Sequence, residues 1–422
     1  MKKSWYMLFI LIVIFLTLSA CQIKRESSDN GYSISESSES ISQTTTESFL
    51  HQTEVPSGYV GIYSIEDLIN SGAKEDGNYI LMNDLDLSSI SDWTGIRNTG
   101  IFDGNNYTIS NLSSTKGGLF EYASNISNLN MKNIDVQVIK EIGYRTSIGG
   151  IADVANNISN CVASGTVSVI VSGTIRSDYT PSISVGGIVG SRVDRGLITS
   201  CVNYTSVKCE SRADDELNLR VGGVAGLCLS TTEYCINYGS VHLISTSVLS
   251  PSYWRFTAAG GVCGIGANML YNCNYGGIFS THTAGGIVGS DVGGDFKIDS
   301  CYNVGNVDCA DNVQTSAGGI VGFVESGSDE EKGTITNCYN IGECIGAVHC
   351  GGIVGNRDYS DITAISYCAY KCGVNITGTP AMYADNKEMS LDDMKDLNNF
   401  PFQNKDIVWK DGTGDYPYPV LK

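Results

Sequence analysis

The chain has 422 residues with a formal net charge of −19, 17% charged residues and 49 glycines. Its 26 basic residues form no Lys/Arg cluster in the part expected to fold, which argues against binding to nucleic acid or to an anionic lipid surface. About 365 residues follow the N-terminal segments without a second linker, which is more than one ordinary globular core holds.

The N-terminus predicts a lipoprotein signal peptide over residues 1–20. Lys2 and Lys3 precede an apolar run that is too short for the usual spanning helix, and "LSAC" follows at 18–21. Cleavage before Cys21 would leave a lipid-modified cysteine as the first mature residue, so the predicted membrane contact is the lipid. An ordinary secretory signal and an uncleaved anchor are the alternatives.

Residues 21–57 are predicted to form a disordered tether. The segment is rich in Ser, Thr and Glu and has almost no large apolar residues, so it cannot bury a core. Residues 58–116 are expected to hold an N-terminal cap and the first coils. Ser64, followed by Asp67, marks the start of a short capping helix there.

Residues 117–376 carry a repeat that is marked by pairs of glycines. GGIVG occurs four times, and near copies extend the series; the pairs begin at Gly117, Gly149, Gly186, Gly222, Gly260, Gly285, Gly318 and Gly351. The intervals of 25 to 38 residues lie in the range of stacked repeat architectures. Each unit contains about three short apolar or alternating runs and no helical stripe. The sequence therefore predicts an all-β fold, a single-chain β-solenoid with small helical caps at each end.

The glycine pairs resemble a phosphate-binding loop, but no copy has the partners that such a loop needs. A P-loop requires a lysine and a hydroxyl residue directly after its last glycine, and a dinucleotide fold requires a helix there. We therefore expect no nucleotide and no other cofactor. A packing role is favoured, in which each pair turns a corner and needs positive φ or close backbone approach.

The string "GGIVG…ITSCVNYTSV" and its siblings resemble the GLUG motif of bacterial surface proteins, which also occurs in the non-catalytic part of some IgA-cleaving metallopeptidases. The resemblance extends to a lead-in over 64–112 and a closing segment over 389–422. It implies a bacterial cell-surface repeat protein, and it is more specific for fold than for function.

Seven of the 15 cysteines are predicted to stack at one repeat position as a ladder; they are Cys161, Cys201, Cys235, Cys273, Cys301, Cys338 and Cys368. Free buried thiols suit a tight interior. Several disulfides and a metal site remain alternatives, because an exported protein can form disulfides. "CIGAVHC" at 344–350 is the best metal candidate, but it lacks an obvious fourth ligand, so no metal is assigned.

The longer repeats carry extra residues at 168–185, 208–221, 242–259 and 308–317, and insertions at one repeat position often form a binding face. One of them contains Tyr253, Trp254, Arg255 and Phe256, residue types that anchor interfaces and stack on sugar rings. They are the candidate ligand-binding residues for a protein or glycan partner. Packing of this loop against the side of the fold is the alternative.

No catalytic constellation is recognisable. The four histidines include no HExxH zinc motif, and the group Asp291, Asp295 and Asp299 is typical of a solvated acidic loop. Residues 377–422 are predicted to form a C-terminal cap, with a helical segment between Ser390 and Asp393.

Three functional hypotheses follow. The leading one is a non-enzymatic, lipid-anchored surface protein that binds a host, matrix or polysaccharide partner, with no nucleic-acid partner. A structural spacer or envelope component and a carbohydrate-active β-helix enzyme are the alternatives.

Overall fold

The structure, a computed structural model, describes thirteen stretches of the chain. They are 51–141, 145–173, 181–192, 196–213, 217–246, 256–291, 296–310, 315–324, 333–346, 348–357, 364–371, 385–414 and 416–422. These residues are nearly all β, and their three large sheets are built from parallel strands.

The first sheet contains the strands that follow the glycine pairs and their N-terminal counterparts. Its strands are Val60–Ile62, Tyr79–Leu81, Ile96–Asp103, Phe120–Ser127, Ala152–Ser159, Val189–Arg192, Leu197–Thr199, Ala225–Glu233, Cys263–Leu270, Val288–Ser290, Lys297–Asp299, Val321–Val324, Thr334–Thr336, Val354–Arg357 and Ala364–Ser366.

The second sheet contains the strands that come next along each repeat. Its strands are Leu85–Asp86, Thr108–Ser110, Ser113–Ser114, Asn130–Glu141, Val162–Ser172, Val202–Ser211, Ile236–Asn237, Val241–Ser245, Cys273–Asn274, Ile278–Ser280, Tyr302–Asn303, Val307–Cys309, Tyr339–Asn340, Cys344–Ile345, Ala369–Lys371 and Lys387–Met389.

The third sheet contains the strands that lead into the glycine pairs. Its strands are Arg145–Gly149, Ser182–Gly186, Asn218–Gly222, Ala258–Gly260, Thr283–Gly285, Ser316–Gly318 and His349–Gly351. The first glycines of successive pairs are register partners, as Gly222 is with Gly260 and Gly260 with Gly285. Each repeat therefore lies in register on the next, an arrangement compatible with a β-helix.

Two short helical segments begin where the sequence predicts them. Ser64 caps the helix Ile65–Ser71 by accepting the N–H of Asp67 at 3.2 Å. In the same way Ser390 accepts the N–H of Asp393 at 3.1 Å, and a 3-10 turn spans Asp393–Lys395. The other helical elements are the 3-10 turns Leu87–Ser89 and Leu397–Asn399 and the helix Lys405–Val408.

The folded part extends beyond the predicted tether boundary at residue 57. Gln52 donates its N–H to the Asn105 side chain at 2.7 Å, and the His51 ring stacks on Tyr107 with centroids 4.1 Å apart. Composition does not reveal this, because Asn105 accepts the Gln52 N–H while it holds a left-handed backbone conformation (φ 48°) that the sequence pattern does not indicate.

The C-terminal segment, residues 385–422, packs against the outer surface of the second sheet. Its hairpin strands Trp409–Lys410 and Val420–Leu421 are antiparallel. The buried Trp409 ring lies 6.0 Å from that of Tyr302 and 5.6 Å from that of Tyr339. The Tyr339 hydroxyl donates to the Pro419 carbonyl at 2.6 Å. The segment therefore covers the side of several repeats, where the sequence predicts a cap.

The glycine pairs are required by close backbone approach and not by positive φ. Among the described glycines, positive φ is confined to five positions outside the pairs; these are Gly58, Gly165, Gly173, Gly346 and Gly414. A Cβ on Gly285 would overlap the Val288 carbonyl oxygen, and one on Gly286 would overlap that of Gly319 in the next repeat. Of the two predicted reasons for the pairs, close approach is confirmed and positive φ is wrong.

The left-handed corner of each repeat lies elsewhere, at the residue directly before the position of the cysteine ladder. There φ is between 51° and 58° at Asn128, Asn160, Ser200, Tyr234, Tyr271, Ser300, Asn337 and Tyr367. Serine and tyrosine adopt this conformation at a cost of roughly 1–2 kcal/mol each. Packing between repeats must offset that cost.

An asparagine ladder runs through the interior against the second glycine of five pairs, Gly187, Gly223, Gly261, Gly286 and Gly319. Its members are fully buried, and the first four side-chain amides each donate to the oxygen of the next member at 2.7–2.8 Å; they are Asn203, Asn237, Asn274, Asn303 and Asn340. Each amide also donates to the backbone carbonyl two residues later in its own repeat, as Asn274 does to Gly276 at 2.8 Å. The ladder therefore satisfies its own buried amides.

We predict that Gly286→Ala lowers the free energy of unfolding by about 1–3 kcal/mol, because the new methyl group overlaps both the Gly319 carbonyl and the Asn303 side chain. Gly277→Ala is the matched control, since no atom lies within 4 Å of its added Cβ. The control should leave stability unchanged or raise it by about 0.4–1 kcal/mol. Urea unfolding measures both, and equal stabilities would contradict the close-approach explanation.

We predict that Asn274→Ala lowers the free energy of unfolding by about 2 kcal/mol, because the Gly276 carbonyl and the neighbouring amides lose buried partners. Asn83→Ala is the control; its exposed side chain makes one bond, to the Tyr63 carbonyl at 3.2 Å. It should change stability by less than about 0.5 kcal/mol. Thermal and urea unfolding of the two variants separate the outcomes.

Candidate functional site

The sequence-predicted binding loop is described only at its end. Tyr253, Trp254 and Arg255 lie outside the described residues, and Phe256 is half-buried. The described parts of the longer repeats place the extra residues between the second-sheet and third-sheet strands, as with Val202–Ser211 and Asn218–Gly222. The aromatic patch stays a prediction.

The predicted lipidation site, Cys21, also lies outside the described residues. Across the thirteen described stretches, no helix combines the length and apolar character that a membrane span requires.

The described cysteines are buried free thiols, as the first of the three interpretations predicts. They number thirteen: Cys161, Cys201, Cys209, Cys228, Cys235, Cys263, Cys273, Cys301, Cys309, Cys338, Cys344, Cys350 and Cys368. Within the ladder the thiols donate to backbone carbonyls two residues earlier, as Cys161 does to Ser159 at 3.2 Å and Cys201 to Thr199 at 3.3 Å. Burial raises the pKa of the Cys161, Cys201 and Cys338 thiols well above its ordinary value, so these thiols are protonated and unreactive at neutral pH.

The predicted ladder is wrong at one position, because Cys273 is displaced by one residue. Ile236, the residue after Cys235, pairs with Cys273, and Cys273 in turn pairs with Tyr302. The ladder position in this repeat therefore belongs to Asn272, which is fully buried and donates to the Thr232 carbonyl at 2.8 Å. Cys273 packs with the C-terminal segment instead.

The "CIGAVHC" segment places Cys344 and Cys350 in the core and leaves His349 half-buried. No group of three or more potential metal ligands is found among the residues that the structure describes. The cysteines and histidine of this segment contribute to packing of the second and third sheets.

The acidic group is not brought together as a site. Asp295 lies outside the described residues, and Asp291 is buried. Asp299 accepts hydrogen bonds from Thr336 at 3.0 Å and Asn337 at 2.9 Å. These bonds join neighbouring repeats, so Asp299 has a structural role and is not part of a solvated loop.

A second buried carboxyl joins two glycine pairs. Asp153 accepts the backbone N–H groups of Gly118 at 2.9 Å and Gly149 at 3.1 Å. Burial raises the pKa of Asp153 to about 7, and the two backbone hydrogen bonds act in the opposite direction. Its contacts are with backbone of the first repeats, which indicates a structural carboxyl.

The surface feature that sequence reasoning missed is a column of stacked tyrosines on the outside of the second sheet. The Tyr204 and Tyr238 ring centroids are 4.9 Å apart with an interplanar angle of 5°, and Tyr238 and Tyr275 are 4.9 Å apart at 14°. Burial raises the pKa of Tyr204, and it raises that of Tyr238 to about 12. The first member, Tyr204, remains 48% exposed.

A second column stands at the left-handed corner beside the first. Tyr234 and Tyr271 stack with centroids 4.8 Å apart at 15°, and Tyr234 is 50% exposed. In the repeat that contains Tyr234 and Tyr238, the half-buried Ile236 lies between them along the chain. The first column has a sequence signature, the recurrent "NY" at 203–204, 237–238 and 274–275. It becomes visible when the repeats are aligned on this asparagine.

Neutral hydroxyl groups flank the first column. Ser206 and Ser240, two residues beyond Tyr204 and Tyr238, lie on neighbouring repeats with their Oγ atoms 2.9 Å apart. The outer surface of these two repeats thus combines stacked aromatic rings with adjacent hydroxyls, which is chemistry suited to a polar ligand with apolar faces.

We predict that thiol reagents leave the described cysteines unmodified in the native protein, since burial keeps them protonated and inaccessible. After denaturation without reductant, at least thirteen thiols per chain should titrate. A sample reduced before denaturation is the control. A lower count in the unreduced sample, short by pairs of thiols, would establish disulfides.

No family model matches the chain, and none of the curated proteins matches it. Among solved structures, the chain is similar to a candidate immunoglobulin A1 protease from Bacteroides ovatus at 17% identity and a TM-score of 0.38, over 86% of this chain and 91% of that one. It is also similar to a structure named IgA1 protease at 18% identity and a TM-score of 0.43. That match covers 78% of this chain but only 23% of the other protein's length.

Proposed function

We propose that the chain is a non-enzymatic, lipid-anchored bacterial surface protein whose repeats form a β-solenoid and present a ligand-binding surface. The observation that carries this proposal is the pair of tyrosine columns on the outer surface, whose first members Tyr204 and Tyr234 are exposed, whereas the other recurring residues of the repeats are used for packing. The glycine pairs, the asparagine ladder and the cysteine ladder are all buried. Binding chemistry is then left to the outer surface.

The solenoid assignment is supported by register across repeats. Equivalent residues pair in parallel in all three large sheets, as Val207 does with Val241 and Val241 with Ile278. Parallel neighbours are separated by about 4.8 Å, so one repeat adds one layer of each sheet. The resemblance of the repeats to the GLUG motif supports the same assignment.

Surface anchoring is supported by the order of the N-terminal segments. A positively charged start, a short apolar run, "LSAC" and a segment poor in apolar residues follow one another before the first described strand at Val60. A lipid on Cys21 together with a flexible spacer would hold the repeats outside the membrane and leave their outer surface accessible.

A non-enzymatic role is supported by the use that the repeats make of their polar groups. Asp299 and Asp153 bond to groups of the fold itself, and burial keeps the ladder thiols protonated. The tyrosine columns offer rings and hydroxyls, which bind ligands without transferring groups.

We predict that Cys21→Ser abolishes incorporation of a fatty-acid probe during growth, because the modified thiol is removed. The protein should then be released into the medium or remain as an unprocessed precursor. Ser33→Ala, in the predicted tether, is the control and should be labelled like wild type. Equal labelling of wild type and Cys21→Ser would reject the lipid anchor, whatever the protein binds.

A further inference from the structure

The outer surface of the second sheet has an exposed end at Tyr204. One face of its ring is covered by Tyr238. The residue in register on the other side is Ser164, whose side chain is too small to cover an aromatic ring. Tyr204 therefore ends the column with an open ring face.

The corner column ends in the same way. Tyr271 covers one face of the Tyr234 ring. On the opposite side Ser200 is the equivalent corner residue, because Thr199 pairs with Glu233 and Ser200 donates its N–H to the Glu233 carbonyl at 3.0 Å. Both open ring faces thus point in the N-terminal direction, that of Tyr204 towards the repeat of Ser164 and that of Tyr234 towards the repeat of Ser200.

The two columns are bridged by an apolar strip and bordered by hydroxyls. Val202 and Ile236 are register partners, and both are half-buried on the outer surface. Tyr234 and Tyr238 are four residues apart along the chain, and because Tyr234 forms the left-handed corner their Cα atoms are separated by at most roughly 13 Å. Ser206 and Ser240 supply adjacent hydroxyls along the outer edge.

The same outer surface is already a docking surface one repeat further on. There Tyr416 of the C-terminal segment packs on Tyr275 and Tyr302, with ring centroids 5.7 and 6.4 Å away. Tyr275 and Ile236 both pack against the cluster that this segment forms, and the exposed Tyr204 and Tyr234 lie further towards the N-terminal repeats. The exposed tyrosines therefore offer a partner the same kind of aromatic surface on which the Tyr416 ring packs.

Charge selects the class of partner. The chain carries a net charge of −19, which disfavours an acidic polymer. Lys208, two residues beyond Ser206, is paired with Glu210 at 2.9 Å, so its charge is offset. Open aromatic faces next to hydroxyls match the apolar ring faces and hydroxyl groups of a sugar.

We propose that this surface, the tyrosine platform formed by Tyr204, Tyr234, Tyr238, Tyr271, Ser206 and Ser240, binds a neutral polysaccharide. The proposal rests on the proposed surface function and specifies its ligand. Sugar rings stack on the open faces of Tyr204 and Tyr234, and the hydroxyls of Ser206 and Ser240 exchange hydrogen bonds with the sugar.

Affinity electrophoresis of the full chain in detergent tests the platform. The probes are glycogen, laminarin, yeast mannan and galactomannan as neutral polysaccharides, with hyaluronan and polygalacturonate as acidic ones. We expect retardation by at least one neutral probe and by neither acidic probe. Tyr204→Ala and Tyr234→Ala should each weaken that binding up to about tenfold, the equivalent of losing one aromatic contact.

Two variants control for stability and for tyrosine itself. Tyr204→Phe keeps the ring and should retain binding within about threefold, since stacking provides most of the contact. Tyr63→Ala removes a tyrosine that is 54% exposed near the N-terminal helix, and it should bind like wild type. Urea unfolding shows whether each alanine variant is folded at the assay temperature.

Several outcomes would overturn the platform. These are no retardation by any neutral probe, retardation by acidic probes alone, or equal binding by wild type and the Tyr204→Ala/Tyr234→Ala double variant. Loss of self-association in the double variant, measured by sedimentation, without polysaccharide binding would assign the surface to a second copy of the chain. Fatty-acid labelling of Cys21 reports separately on the proposed surface function.

Discussion

The central repeats depend on the contact between the second glycine of a pair and a buried asparagine, which is made by five of the eight pairs, from Gly187 to Gly319. A side chain at Gly286 would displace both the Asn303 amide and the Gly319 backbone. Because each amide also bonds to the next asparagine, a shift of one repeat would leave buried polar groups unpaired on both sides of it. Glycine and asparagine therefore act as one unit that sets the register of the repeats.

The register of the asparagine ladder determines which side chains line up on the outer surface. Side chains alternate between the two faces of a strand, so alignment of the buried asparagines also aligns the residues that follow them. Tyr204, Tyr238 and Tyr275 come directly after ladder asparagines and stack at the 4.9 Å separation of neighbouring repeats. The left-handed corner does the same for Tyr234 and Tyr271. The aromatic columns are consequences of the interior ladder.

Sequence reasoning predicts the repeat, the all-β fold and the close approach at the glycines, since these leave a periodic signature. It misplaces Cys273 because alignment on cysteine ignores the buried asparagine, whose side chain makes three hydrogen bonds at Asn237, Asn274 and Asn303. It misses the left-handed corner because a φ near 55° is expected at glycine, whereas here residues such as Tyr271 adopt it, held in place by the neighbouring repeats. The binding residues that the sequence predicts, Tyr253, Trp254, Arg255 and Phe256, stay a prediction. The tyrosine columns are missed because stacking between repeats depends on a register that the local sequence does not contain.

The C-terminal segment shows what an aromatic outer surface requires. Tyr302 and Tyr339 stack on each other at the register position of Ile236 and Cys273, and the segment buries them with Phe400, Phe402 and Trp409. Stacked rings that meet no such cover expose apolar area in water, which a protein retains mainly where a partner binds. At Tyr204 and Tyr234 the columns end next to Ser164 and Ser200 of the preceding repeats. The open ring faces are therefore small and have polar neighbours, unlike the aromatic surface that residues 385–422 cover. A ligand with small apolar faces and many hydroxyls matches the uncovered part of this surface, where single ring faces lie beside hydroxyl groups.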